Sequence, residues 1–282
     1  MNELPLALSF PFSFLSFITT LIIIYLFCCS RKYDHFEFRL VLYMQIFDCI
    51  YAFSYIIVAF APNDMANRTP LCEIHAFLAN SSSLSSLFFS IAISTVLISR
   101  LQFRNYKSEK YEIHLLIFSI SLPIMINILW ISLDLIGPAG CWCFIKEDLP
   151  NNKKELWRVF SFYIFMWIGM AYNTTISLYF IIFFKDPNLH QEVEKLLKQR
   201  VILIPLVMSI YWIIPTIYRT SGMDDNYGLS LFYSVFAGCN GFFNSCVYAT
   251  TPGTMRLFLK KFCRINEGDP PSPNINSPIL VY

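Results

Sequence analysis

The chain has 282 residues, of which 56% are hydrophobic and 14% charged, and its formal net charge is +2. A soluble domain carries about 25% charged residues, so this chain has too little polar surface to face water on all sides. A near-neutral balance also excludes a basic nucleic-acid-binding surface.

Crossing a hydrocarbon core of about 30 Å takes about 20 largely apolar residues. Seven segments meet that requirement: 4–29, 40–61, 74–99, 115–137, 159–184, 201–218 and 229–250. The first lacks a basic leader, is too long for a signal peptide and is followed by Arg31 and Lys32, so it reads as a span with a stop-transfer flank. The second carries Asp48, the one acid deep inside any segment. An isolated carboxylate in hydrocarbon is costly, so Asp48 is expected to face the bundle interior and find a donor or a cation. The third holds a polar run from Ser81 to Ser86, broken only by Leu84. Pro123, Pro205 and Pro215 fall inside segments, where a missing N–H and a ring clash bend a helix. Beyond the seventh segment, residues 254–264 interleave Met255, Leu257, Phe258, Leu259 and Phe262 with four basic residues. That pattern predicts an amphipathic helix on the inner leaflet, drawn to anionic membrane lipid. Residues 265–282 are Pro- and Asn-rich and are expected to be disordered.

Basic residues set the orientation. The connections after the first, third and fifth segments and the stretch after the seventh carry fifteen Lys and Arg, against six on the other side. The positive-inside rule places the amino terminus outside and the carboxyl terminus in the cytoplasm. The glycosylation sequon at Asn67 falls in the first outer loop, which agrees. The expected fold is an all-α integral membrane protein, a multi-pass seven-transmembrane helix bundle.

Several functions are excluded or set aside by residue type. A retinal-based pump needs a lysine in the last span, and 229–250 has none. His35, His75, His114 and His190 are dispersed, so no metal site is expected. The nine cysteines show no CxxC pair for zinc or redox work, and no cofactor is implied. A small seven-helix transporter is the alternative to a receptor, although no internal repeat is visible.

Motifs in order along the chain narrow the choice. The second segment reads Phe38-Arg39-Leu40, then Asp48, then Ser54-Tyr55. The loop after the fourth has Trp142-Cys143-Phe144-Ile145. The fifth brings Trp157-Arg158, Tyr163, Trp167 and Asn173, the sixth Trp212, Pro215 and Arg219, and the seventh Gly241-Phe242-Phe243-Asn244-Ser245 with Tyr248. This series resembles the cyclic-AMP-receptor-like (slime-mould type) G-protein-coupled receptors, which are distantly related to the secretin and adhesion receptors. The third segment departs from that pattern. It lacks the family's tryptophan and ends in Ser99-Arg100-Leu101, without Asp-Arg-Tyr.

The resemblance implies a plasma-membrane receptor that binds an extracellular ligand, activates a heterotrimeric G protein and is not an enzyme. It implies a disulfide from Cys72 to the outer loop, with Cys143 the partner by motif position and Cys141 the alternative. Trp142, Tyr163, Trp167, Trp212 and Arg219 become candidate ligand contacts, although Arg219 suits a snorkelling interface position better. Asp48 and Asn244 would form a polar contact between the second and seventh helices, and Pro215 would be a pivot in the sixth. Arg100, Arg104, Lys198 and Arg200 would face the G protein. The outer loops carry six basic and nine acidic residues, which does not favour an anion such as cyclic AMP.

Overall fold

Long apolar runs without glycine or charge have one way to satisfy their backbone in lipid, and that is the helix. A computed structural model describes residues 4–29, 36–60, 69–102, 108–139, 142–146, 149–183, 212–213, 215–216 and 227–249. Its helices are α1 (Leu4–Cys29), α2 (Phe36–Phe60), α3 (Pro70–Gln102), α4 (Glu112–Ser132), α5 (Asn151–Arg158), α6 (Ile164–Phe183), α7 (Tyr227–Gly238) and α8 (Asn240–Ala249). Among the described residues four helices are long and apolar enough to cross a membrane: Leu8–Cys29, Arg39–Phe60, Pro70–Val96 and Glu112–Ser132. The protein therefore has the character of a membrane protein.

Burial ranks these spans. The α3 span is 72% buried, against 33% for α1 and 22% for α4. So α3 is the central post, and its serine-rich stretch is inside the protein rather than towards lipid. The outer faces of α1 and α4 instead expose Phe14, Leu15, Ile18, Ile117, Phe118 and Ile128, as lipid contact requires. Around α3 the described residues form three core clusters, one of them Tyr51, Tyr55, Ala79, Trp142, Tyr233 and Ala237. A second gathers Leu84, Leu87, Trp130, Phe162, Met166 and Trp212; the third gathers Phe27, Leu40, Met44, Phe89 and Val96.

The described residues are mostly helical, as expected, and several boundaries differ from the expected segments. First, the segment expected to run helically over 115–137 leaves the helix at Ser132. Asp134 turns the chain at φ 58°, and Ile136–Ala139 forms strand β1 against β2, Trp142–Ile145. The pair is antiparallel, with Ile136 opposite Ile145 and Ala139 opposite Trp142. Pro138 keeps the residue before it out of the helical region, so the chain runs on extended. The connection after α4 therefore carries a short hairpin that the sequence did not suggest. Second, the fifth helix starts at Asn151 rather than 159, and a π turn, Val159–Tyr163, joins α5 to α6. Third, the last segment is broken at Cys239 into α7 and α8. The second helix also begins earlier, at Phe36. Asn67, Arg104, Cys141, Lys198, Arg200, Arg219, the surface helix at 254–264 and the tail at 265–282 lie outside the described residues, as does most of 201–218.

At the end of the bundle away from the hairpin, Arg39 forks onto Glu112: Nε donates to Oε1 at 2.6 Å and the second guanidinium nitrogen to Oε2. The planar fork ties α2 to the first turn of α4, where an acid also suits the helix dipole. Both side chains are partly exposed, which limits their worth. Glu112→Gln is expected to destabilise the protein by about 1 kcal/mol. Exchanging the two charges, Arg39→Glu with Glu112→Arg, should recover part of that loss. Thermal unfolding of the variants in one detergent checks both.

Candidate functional site

The site is built from the hairpin downward. Cys72, in the first turn of α3, is bonded to Cys143 in β2, with their Cα atoms 5.3 Å apart. Thr69 supports that turn, its Oγ1 accepting from the Cys72 N–H at 3.3 Å. All four residues of β2 are buried. Trp142 packs its ring on Tyr233 of α7 at a separation of 4.6 Å and a tilt of 39°, while Phe144 sets its ring against Trp130, Phe162 and Tyr163. A loop rich in aromatics thus folds inward and fills the mouth of the bundle.

Beneath it is a cavity of ≈ 20 Å³, room for about one water. Tyr51 and Tyr55 of α2, His75, Asn80 and Ser83 of α3, and Tyr233 of α7 line it. Trp142, Phe144, Phe162, Tyr163 and Trp212 line it as well. The described lining residues include no Asp, Glu, Lys or Arg. Tyr55 and Tyr233 pair through their hydroxyls at 3.4 Å. His75 Nδ1 lies 3.2 Å from the Ser54 carbonyl oxygen. A carbonyl only accepts, so Nδ1 carries the hydrogen and the other ring nitrogen is left as an acceptor.

Of the sequence-predicted ligand contacts, the structure brings Trp142, Tyr163 and Trp212 together around this cavity. Trp167 is not among them; it is 45% exposed and faces outward. The inward face of α6 is Met166, Met170, Asn173 and Ser177, and Trp167 lies about 100° round from Met166. Asn173 instead donates to Ser90 of α3 at 3.1 Å. Pro215 is buried three residues after Trp212. Arg100 lies in the last turn of α3.

Deeper in the bundle is a polar centre. Asp48 is fully buried. Its Oδ2 accepts from Asn244 at 2.8 Å, and its Oδ1 from Ser86 at 2.7 Å and Asn240 at 3.2 Å. The Asp48–Asn244 contact is the one suggested by the sequence; Ser86 and Asn240 were missed. Asn240 stands four residues before Asn244, on one face of a helix, and that spacing was a readable signal. Next to them Ser245 donates to Gln45 at 3.0 Å.

The break in the last helix is held from α1. Ser16 Oγ donates to the Gly238 carbonyl and accepts from the Phe242 N–H at 3.1 Å. A side chain inserted into the ladder is a recognised cause of a helix break. The approach needs glycine: a Cβ on Gly241 would lie 2.8 Å from Thr20 Cγ2, and one on Gly238 2.9 Å from Phe12 Cβ. Small residues on both helices allow this close packing in a membrane. Arg158, in the last turn of α5, is fully buried beside the π turn. Among the described residues no His, Cys, Asp or Glu side chains cluster as a metal site would.

No protein-family model matches the chain, and no curated protein matches it. Function has to be read from the chemistry of these residues.

Proposed function

We propose that the chain is a seven-helix receptor of the G-protein-coupled class, set in the plasma membrane with its hairpin outside. It takes an extracellular ligand beneath the hairpin and activates a heterotrimeric G protein on the opposite side. One observation carries the reading. A loop stapled to the head of the central helix closes a cavity whose walls come from α2, α3, the α5–α6 junction, Trp212 and α7. A ligand there touches most of the bundle at once, and that is the geometry a bundle needs if binding is to change its packing. The buried polar centre at Asp48 links α2, α3 and α8 below the cavity, so it would feel such a change. The motif series and the basic inner connections support the same reading.

A transporter is the second reading, favoured by the broken last helix at Cys239. The two separate in one preparation. Reconstituted protein is expected to accelerate guanine-nucleotide exchange on an added heterotrimeric G protein when a ligand is supplied from the hairpin side, with no solute flux across the vesicle wall. Ligand-independent flux without exchange would replace the receptor by the transporter.

A further inference from the structure

The walls of the cavity constrain what binds in it. Taking the receptor reading for where a ligand enters, we infer that the cavity accepts an uncharged, planar ligand carrying a hydrogen-bond donor beside an acceptor, and that Asn80 reads that polar edge.

The first observation is the lack of charge. No ionised side chain is found among the described lining residues. In a water-poor space an anionic or cationic ligand gives up solvation with no opposite charge in return. The second is Asn80 itself. It lines the cavity, is only 6% exposed, and its Nδ2 has no acceptor among the described residues. A buried amide donor left without an acceptor is costly, and a ligand acceptor relieves it. A side-chain amide also pairs naturally with a neighbouring donor and acceptor, as asparagine does on the edge of adenine. The ring nitrogen that His75 leaves free adds an acceptor in the same space. A quaternary ammonium ion satisfies the aromatic faces but gives Asn80 nothing.

The third observation is what already fills the mouth. The Trp142 indole, an uncharged planar ring with one N–H, packs on Tyr233 with the two rings tilted by 39°. Tyr233 therefore already packs against a ring of this kind, held there by the hairpin. The remaining space is water-sized, so a one-ring ligand binds as the Trp142 side gives way, its polar edge towards Asn80.

The test uses the full chain in lipid nanodiscs and three one-ring probes: nicotinamide, which is uncharged with an amide edge; nicotinate, the same ring as an anion; and phenyltrimethylammonium, a permanent cation. Saturation-transfer NMR titrations should show saturable nicotinamide binding, with nicotinate and the cation weaker by about tenfold or more. Asn80→Ala should weaken nicotinamide by about tenfold. Asn80→Asp should turn the preference towards the cation. Formation of the Cys72–Cys143 bond serves as the folding control for both variants. Failure of nicotinamide to saturate at millimolar concentration, equal or tighter binding of either charged probe, or an unchanged order of probes in Asn80→Asp would overturn the inference. Nucleotide exchange is scored separately. Selective nicotinamide binding without exchange keeps the ligand class and removes the receptor. Exchange driven by a charged agonist, with nicotinamide silent, does the reverse.

Discussion

Asn244→Leu is expected to destabilise the protein by about 3 kcal/mol, and by more than Asp48→Leu does. The order follows from which group is left behind. Asn244 supplies the 2.8 Å donor to Asp48 Oδ2. Removing it leaves a fully buried carboxylate with Ser86 and Asn240, both of them on the other oxygen. An incompletely paired buried carboxylate is the most costly remnant this site can produce. Asp48→Leu removes that carboxylate and strands donors instead. Ser86 can turn to a carbonyl one helical turn back, so the lasting loss is at the two amides. Those amount to about 1 to 3 kcal/mol each, set against the desolvation of the carboxylate that is no longer required. The double variant, Asp48→Leu with Asn244→Leu, should be less damaged than the two single losses added together, with a coupling of about 2 kcal/mol. Unfolding midpoints of the three variants in the same detergent measure all of this. If Asp48→Leu proves the worse of the two, or the losses simply add, the carboxylate is not the centre of the network.

What the sequence could show depended on whether the cause was local. The long spans were legible because apolar length and the thickness of a bilayer decide them. Asp48 was legible for the same reason: a lone acid in an apolar block must find partners. The hairpin was not. Ile136–Ala139 and Trp142–Ile145 are apolar, and a hydropathy reading does not distinguish a buried four-residue strand from the end of a helix. The break at Cys239 was illegible because its agent, Ser16, lies more than two hundred residues away in the chain. No proline marks the place. Trp167 misled because the motif series does not say which way a helix face turns: Met166 is buried, and Trp167, the next residue round the helix, is exposed. Glu112 was overlooked because the fourth segment was taken to start at 115, which left its first turn, and the partner of Arg39, in the loop.

The second large effect is expected at the hairpin. Replacing Cys72 and Cys143 together by Ser should destabilise the fold by about 2 to 4 kcal/mol, and Cys141→Ser should leave it unchanged. The bond joins residues 71 apart, and in the chain-entropy model closing a loop of that length is worth about 4 kcal/mol. The lower bound allows for the membrane, which already restrains α3 and α4 and so leaves less freedom for the bond to remove. The site should change with the stability. Without its staple to α3, β2 is held at the mouth only by contacts such as Trp142 on Tyr233 and Phe144 on Phe162. Its β1 partner follows directly from α4 and remains anchored, so the hairpin is expected to lift at the β2 edge. Trp142 would then move from a buried to a wetter setting, and its fluorescence should shift to longer wavelength. The other four tryptophans complicate that signal, so the measurement is made as a difference against the same double-serine protein carrying Trp142→Phe. Peptide mapping without reduction should recover Cys72 and Cys143 in one linked fragment. A linked Cys72–Cys141 fragment, or a loss of stability in Cys141→Ser that matches the double variant, would place the staple on the wrong residue. An unchanged unfolding midpoint in the double variant would mean that apolar contacts alone hold the hairpin in place.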